Sequence, residues 1–255
     1  MPCSNWLGRA IDACPPVYAE VDSLPNWIIQ SVQTLLERKP MQPPKSPICV
    51  ICGSRPATTV EHVPPRGFFK GIVGQFRTVP ACSICNNGSS EDDETLRNYI
   101  SAQIGKQTTG AKYLWEMGAH KSFLRSTKLR SALLSTTHEV QVANENGSTT
   151  TRLAFIVPVS LYQRVFERVT RGLHFLHAGR ILPIDTPVQI NLLTSAPDLS
   201  LPEFQILETH SIAENAFVYR FALNTEEPSN GVWLFTIHGS HWVQSTTGVL
   251  VDNAF

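Results

Sequence analysis

The apolar residues of this chain recur at helical spacing in its first two thirds and at strand-like spacing near its end. Helices are predicted where apolar side chains fall three and four residues apart, around 27–36, 96–104, 124–133 and 165–173. Phe217, Tyr219 and Phe221 instead alternate with Val218, Arg220 and Ala222, which is the period of a half-buried strand. These patterns predict an α+β protein with a small antiparallel sheet in its C-terminal part.

Turn residues refine these boundaries. Asn146-Gly147 lies between two strand-like runs and predicts a hairpin with a type I′ turn. Ser160 and Gln163 have the spacing of a capping box, so we expect a helix to start there and to end near Gly172. Further strands are predicted over 188–193, 204–207, 217–223 and 232–238, with Trp242-Val243 closing the sheet.

The composition supports a folded protein with a substantial core. The chain has 255 residues, of which 42% are hydrophobic, enough for one large domain or two small ones. A proline-rich stretch at 39–47 separates the first predicted helix from the rest of the chain. We predict a helical segment with a connector at 1–46, a compact unit at 47–110 and an accessory α+β domain at 111–255.

Charge is balanced overall but unevenly distributed. The chain carries 21 basic and 21 acidic residues, and a net charge of zero argues against a nucleic-acid partner. However, Lys and Arg outnumber Asp and Glu by 10 to 4 in 112–180, whereas the ratio is 1 to 8 in 181–255. A basic face in the middle third could therefore contact phosphates. Ordinary surface solvation is the alternative.

Two CxxC pairs form the most specific motif of the chain, with cysteines at Cys49, Cys52, Cys82 and Cys85. Four thiolates suit one tetrahedral Zn²⁺ ion, and such a closed site is structural because it has no open coordination position. A redox role for one pair is the alternative. The remaining Cys3 and Cys14 show no pairing pattern, so we expect reducing surroundings and no disulfide framework.

Polar residues with catalytic chemistry lie between and beside these pairs. Glu61 directly precedes His62, and Asn86 follows the last cysteine. Imidazole, with an unperturbed pKa of about 6.5, can accept a proton from water, so His62 suits a general base. Glu61 and Asn86 offer the oxygen ligands of a catalytic Mg²⁺ or Mn²⁺. Adjacent strand residues point to opposite faces, so Glu61 and His62 share a site only if the strand bends or Glu61 reaches around. Asn86 could equally cap a helix, with Asn87 as the ligand.

This arrangement resembles the HNH endonuclease motif of the ββα-metal nucleases, over roughly residues 47 to 106. The resemblance implies a zinc-stapled ββα-metal core in which His62 is the general base and Glu61 and Asn86 hold the divalent ion. The family's middle asparagine has no match here, since Arg77-Thr78 stands in its place. An HNH-type endonuclease would hydrolyse phosphodiester bonds, most readily in DNA with RNA left open, and restriction or anti-phage defence would be a reasonable setting.

Five cations are candidate nucleic-acid contacts. Arg66 and Lys70 follow His62 closely, while Lys121, Arg125 and Lys128 recur at helical spacing and predict one basic helix. Solvated surface charges are the alternative. The acidic run at 91–94 is better explained as the first turn of a helix than as a second metal site, because acidic residues favour the positive end of the helix dipole.

Another class of function stays open. A noncatalytic zinc module could bind nucleic acid or protein, and the accessory domain could sense a ligand, recognise the target or mediate contacts with a protein partner or a second copy. His174 and His177 invite a metal site but lack a third ligand nearby in the sequence. No apolar run approaches the length of a membrane span and no signal sequence is recognisable, so we expect a cytoplasmic protein without a membrane partner.

Overall fold

The computed structural model of the chain describes residues 45–72, 74, 76–102, 109–143, 147–193 and 195–248. The helix predicted at 27–36 and most of the connector lie outside the described residues. Within them the chain forms helices and three antiparallel sheets, of two, two and five strands. The prediction of an α+β fold with an antiparallel C-terminal sheet is therefore confirmed.

The cysteine-rich region contains the first sheet. Strands β1 (Thr59–Val63) and β2 (Arg77–Ala81) pair in antiparallel register over five residue pairs, with a 3-10 turn at Arg66–Phe69 between them. Two helices come directly after β2, α1 (Ser83–Gly88) and α2 (Ser90–Ser101). The order of this region is thus strand, strand, helix, helix.

A break at Ser89 separates α1 from α2, so Asn86 lies outside the helix that begins with the acidic run. Ser89 is buried at the break, and its hydroxyl donates a hydrogen bond to the carbonyl of Asn86 at 2.9 Å. Asn86 therefore belongs to the short helix α1. The acidic residues Glu91, Asp92 and Asp93 occupy the first turn of α2, as predicted.

The middle of the chain contains short helices and a hairpin: α3 (Thr109–Leu114), a π-helical turn (Trp115–Ala119), α4 (His120–Arg125), α5 (Thr127–Thr136), β3 (His138–Ala143) and β4 (Thr149–Ala154). The prediction of one basic helix is wrong. The backbone is extended at Ser126, whose hydroxyl accepts a hydrogen bond from the Leu129 amide at 3.1 Å and caps a new helix. Lys121 and Arg125 thus lie on α4, and Lys128 lies on α5.

The predicted hairpin forms, but its connection is longer than a two-residue turn. Ala143 pairs with Thr149, which leaves residues 144–148 between the strands. A two-residue turn at 146–147 would instead pair 145 with 148. Gly147 adopts a left-handed conformation with φ of 79°, a backbone geometry that glycine accepts without strain.

One long helix, α6 (Val159–Ala178), packs against the first hairpin, α2 and the C-terminal sheet. The predicted capping box does not form. Pro158 precedes the helix without a side-chain cap, and the Gln163 side chain donates to the Val188 carbonyl at 2.8 Å instead. The helix also continues beyond Gly172. This glycine lets Val63 approach the helix, since a Cβ there would lie 2.5 Å from a Val63 methyl carbon.

The C-terminal sheet contains strands β5 (Val188–Leu193), β6 (Glu208–Ile212), β7 (Phe217–Leu223), β8 (Gly231–Ile237) and β9 (His241–Thr247). Their order is β5-β9-β8-β7-β6, with every pair antiparallel. The strand predicted at 204–207 is wrong. A helical turn, α7 (Pro202–Gln205), forms there because proline suits the first turn of a helix, and the strand begins at Glu208.

Buried side chains connect the first hairpin region to the C-terminal sheet. Phe69, beside that hairpin, contacts Phe217 of β7 with ring centroids 6.1 Å apart. Phe166 of α6 lies 5.3 Å from Phe235 of β8, again between centroids. These residues belong to one cluster of buried side chains, and α6 lies at its centre. The predicted division into 47–110 and 111–255 stays a prediction.

No helix in the described part of the chain combines the length and the apolar character needed to cross a lipid bilayer.

Candidate functional site

The four cysteines of the two CxxC pairs meet in one cluster. Their sulfur atoms all lie within 4.8 Å of one another, and all four thiols are free. The first pair is held by a tight turn in which the Gly53 amide donates to the Cys49 carbonyl at 2.8 Å. In the second pair the Cys85 amide donates to the sulfur of Cys82 at 3.4 Å. The arrangement is compatible with a metal site.

The environment divides these thiols into two kinds. Burial raises the pKa of Cys49 and of Cys85. Burial also acts to raise the pKa of Cys52, but hydrogen bonds with the backbone of Arg55 and with Ser54 outweigh it and lower the pKa to about 6. A hydrogen bond from the Cys85 backbone lowers the pKa of Cys82. Two of the four thiols thus have a lowered pKa, which favours the thiolate form that a metal ion binds.

Glu61 is buried on the side of β1 that faces α6. Its side chain lies 3.8 Å from Arg168, measured from Oε1 to Nη1, and is 7% exposed. Burial raises the pKa of Glu61 to about 7, although the charge of Arg168 acts to lower it. The other carboxylate oxygen, Oε2, is buried without a hydrogen-bond partner among the described residues. Glu61 is therefore a buried acid that is only partly ionised at neutral pH.

Arg168 and Asp93 are the neighbours of Glu61 that the sequence did not identify. Arg168 donates a hydrogen bond to Asp93 of α2, and burial raises the pKa of this aspartate. One turn earlier in α6, Arg164 donates two hydrogen bonds of 2.7 Å each to the carboxylate of Asp92. The acidic start of α2 thus also binds α6. The sequence contained both charge pairs but no signal that they meet.

His62 faces the opposite side of β1 from Glu61. It pairs with Thr78 within the regular ladder, so β1 has no bend that would bring the two side chains to one face. The His62 ring contacts Phe76 edge-on at 6.4 Å between centroids, and Arg66 lies over the same Phe76 ring at 5.8 Å. Burial, with a smaller contribution from the charge of Arg66, lowers the pKa of His62. The imidazole is therefore neutral at pH 7.

Asn86 lies on the Glu61 side of the hairpin. Its amide nitrogen donates a hydrogen bond to the Thr59 hydroxyl at 3.3 Å. Thr59 is two residues before Glu61, so both side chains share one face of β1. The amide oxygen of Asn86 is the atom left to ligate a cation there. Asn87, the alternative ligand, is exposed.

Three of the five candidate nucleic-acid contacts meet at one surface. Lys70, Lys121 and Arg125 line a cleft of about 380 Å³ together with Arg97, and we call these four residues the basic cleft. Lys128 is elsewhere, in an exposed ion pair with Glu91 at 3.0 Å. Arg66 stands beside His62 and is exposed.

Comparison with known proteins assigns no relatives: no family model, no curated protein and no solved structure matches the chain. The resemblance to the HNH endonucleases therefore stays a prediction. Any function must be inferred from the geometry of the residues themselves.

Proposed function

We propose that this chain is a metal-dependent phosphodiester hydrolase of the HNH type, acting most readily on DNA. The observation that carries the proposal is the arrangement of β1, β2 and α1 around the four-cysteine cluster. This arrangement sets Asn86 on the Glu61 side of β1, while His62 occupies the next position of the same strand. The two oxygen ligands and the base that hydrolysis needs are thus carried by one small unit.

Zn²⁺ fits the cysteine cluster. In a tetrahedral site with Zn–S bonds of about 2.3 Å, the sulfurs are about 3.8 Å apart. The four sulfurs lie within 4.8 Å of one another, so one ion between them can contact all four after small side-chain movements. In the proposal this ion connects the two CxxC turns, which lie just before β1 and just after β2, and so fixes the hairpin.

Glu61 and Asn86 would hold the catalytic Mg²⁺ or Mn²⁺. Glu61 offers Oε2, which has no hydrogen-bond partner among the described residues, and Asn86 offers its amide oxygen. Both are the hard ligands that these ions prefer. When bound, such an ion stabilises negative charge that develops on the phosphate and the leaving oxygen. Arg168 and Asp93 act on the other side of Glu61, where their charges and hydrogen bond orient the carboxylate.

His62 would accept the proton of the attacking water. Its lowered pKa keeps the imidazole neutral, and hence basic, at neutral pH. Because His62 and Glu61 face opposite sides of β1, the proposal places the reacting phosphate at the outer edge of this strand. No described strand pairs with that edge, so side chains from both faces can reach around it.

The basic cleft supports a nucleic acid as substrate. Its four cations concentrate positive charge, although the net charge of the chain is zero. Glu94 is the one acidic residue among the described lining residues. Neutralising phosphates is the main source of nonspecific affinity for DNA. Lys70 directly follows the turn Arg66–Phe69, which connects this lining residue in sequence to the strand that carries His62.

A plasmid cleavage assay tests the proposal. Purified protein should nick or linearise supercoiled DNA with Mg²⁺ or Mn²⁺, and a mild chelator should stop the reaction while zinc stays bound. His62→Ala should slow cleavage by about a hundredfold or more, the range of a positioned general base. His138→Ala is the matched control because His138 is an exposed histidine on β3. A single-stranded RNA substrate in parallel distinguishes the two nucleic acids.

The second candidate function is a noncatalytic zinc module that binds nucleic acid. The separation of Glu61 and His62 onto opposite faces of β1 favours it. DNA binding through the basic cleft, without cleavage under any divalent ion and without an effect of His62→Ala, would establish this alternative.

A further inference from the structure

A group of side chains that can bind a metal ion lies at the C-terminal end of α6. His177 is in the last turn of this helix, and Glu208 and His210 are on the edge strand β6. One ligand atom from each residue lies within 4.8 Å of the others. Because Glu208 and His210 are two positions apart on a strand, both point to the same face of the sheet. The fold thus adds to His177 the two ligands that its sequence neighbourhood lacks.

The surroundings hold this group in place. The rings of His177 and His210 are 4.9 Å apart between centroids. The Tyr219 hydroxyl lies 3.0 Å from Nε2 of His177, and the Phe221 ring lies 4.2 Å from the same imidazole between centroids. An aromatic wall from β7 therefore supports the histidines from the sheet side. Glu208 and His210 are each 32% exposed, so solvent reaches the group from the other side.

We propose that His177, Glu208 and His210 form a second metal site, which binds a transition-metal ion of the Zn²⁺ class. Two imidazole nitrogens and a carboxylate are the ligand set that Zn²⁺, Co²⁺ and Ni²⁺ accept, whereas Mg²⁺ and Ca²⁺ prefer oxygen alone. Three protein ligands leave a coordination position for water or an anionic ligand, unlike a four-cysteine site. The proposal does not depend on the nuclease proposal, since it uses none of the same residues.

The three side chains converge on one point. Glu208 Oε1 lies 2.5 Å from Nε2 of His210, a direct contact that a bound ion would replace, with both groups becoming its ligands. The Tyr219 hydroxyl contacts a ring nitrogen of His177, an interaction of the kind that orients a metal-binding imidazole from behind. A bound ion would connect the end of α6 to the edge strand of the sheet.

Metal counting on the full chain tests this proposal. The protein is equilibrated with Zn²⁺, desalted and measured by mass spectrometry of the metal, with the wild type expected to retain about two zinc ions per chain. His177→Ala and His210→Ala should each lose about one zinc. Glu208→Gln should weaken zinc uptake by about tenfold or more, since the amide is a poorer ligand. His138→Ala, which removes an exposed histidine outside the group, should keep both ions.

Titration calorimetry gives the second measurement. After a mild chelator has removed the weaker ion, returning Zn²⁺ should give one binding event in the wild type and in His138→Ala, and none in His210→Ala. Circular dichroism shows whether each variant is folded. His210 is on an edge strand and partly exposed, so this variant decides the question if His177→Ala unfolds.

Equal zinc uptake by the wild type and folded His210→Ala overturns the proposal. The proposal also fails if the wild type binds only one zinc ion and that ion is lost when a cysteine of the CxxC pairs is replaced. Absence of zinc at the cysteines would instead contradict the nuclease proposal and leave the histidine-dependent uptake intact. The two failures are therefore distinguishable.

Discussion

Arg168 of α6 lies 3.8 Å from Glu61 of β1, and the same guanidinium donates a hydrogen bond to Asp93 of α2. One cation thus connects three elements and faces one buried and one partly buried carboxyl group. Burial raises the pKa of both acids, to about 7 for Glu61, even though Arg168 acts in the opposite direction. Arg168 is therefore the cation that offsets the burial of both acids where the hairpin and the two helices meet.

Removing this charge should destabilise the fold. Arg168→Gln leaves the buried Glu61 and the partly buried Asp93 without their cation, and breaking such a pair costs about 2–4 kcal/mol. Urea unfolding measures the free energy of unfolding. Arg125→Gln is the control, because Arg125 is exposed and a surface change should stay within about 0.5 kcal/mol. Adding Glu61→Gln to Arg168→Gln should recover part of the lost free energy of unfolding. If the double variant is as unstable as Arg168→Gln alone, Glu61 and Arg168 do not stabilise each other.

The cysteine cluster should bind about one zinc ion per chain with high affinity. Cys49→Ser and Cys85→Ser should lose that zinc and destabilise the core, because metal affinity at a structural site contributes to folding free energy. Elemental analysis and thermal unfolding measure the two effects. Cys14→Ser lies outside the CxxC pairs and should keep the zinc. Folded, active protein without zinc would refute this role of the cysteines.

The basic cleft should determine the salt dependence of DNA binding. Lys121→Ala combined with Arg125→Ala removes two cations from the cleft, so the slope of log affinity against log salt should fall by about 2. Fluorescence anisotropy at several salt concentrations measures the slope. Lys128→Ala should have a smaller effect, since Lys128 is already paired with Glu91. Equal slopes for the wild type and the double variant would place the DNA elsewhere.

Local patterns predicted the cysteine cluster well, because a CxxC turn brings its two sulfurs together through short-range geometry. Strand alternation also predicted that Glu61 and His62 would face apart unless β1 bent. The contacts of Arg168 could not be predicted in this way, since Asp93 and Glu61 approach it only through the packing of α6.

The histidine group was missed for a related reason. Strand β6 is an edge strand with exposed positions, and among its five residues only Ile212 is a buried apolar one. The sequence of β6 therefore shows little of the apolar alternation that predicts a strand. The strand was predicted at 204–207 because that segment is more apolar. With β6 placed correctly, the spacing of Glu208 and His210 would have put two ligands on one face.

The pH dependence of DNA cleavage should report on His62, because kcat/KM should fall at low pH when this histidine becomes protonated. Burial, followed by the charge of Arg66, lowers the pKa of His62, so the neutral base persists below pH 6.5. Arg66→Ala removes the second cause and should raise this pKa, which moves the acid limb of kcat/KM to higher pH. Lys70→Ala, which removes another cation of the same segment, should leave the limb in place. If Arg66→Ala changes the rate at every pH by one factor, His62 is not the titrating base.

A partly buried histidine distant in sequence from the cysteines should make stability depend on pH. His241 of β9 lies with its Nε2 3.3 Å from the Ile100 carbonyl, and burial lowers its pKa to about 4. The charge of neighbouring His238 acts in the same direction. In the unfolded chain the pKa returns to about 6.5. Between these values the unfolded state binds a proton that the folded state does not.

The free energy of unfolding should therefore fall as the pH is lowered from about 6.5 to about 4, by up to about 3 kcal/mol from His241 alone. His241→Gln retains a hydrogen-bond donor but does not titrate, so its stability should decline less over that range. Urea unfolding at each pH gives the free energy of unfolding of the wild type and of the variant. Their difference reports on His241 and not on zinc loss at low pH, because both proteins keep all four cysteines. His138→Gln should follow the wild type, since His138 is exposed. Parallel curves for His241→Gln and the wild type would show that His241 becomes protonated equally in both states, and so that it is not buried as described.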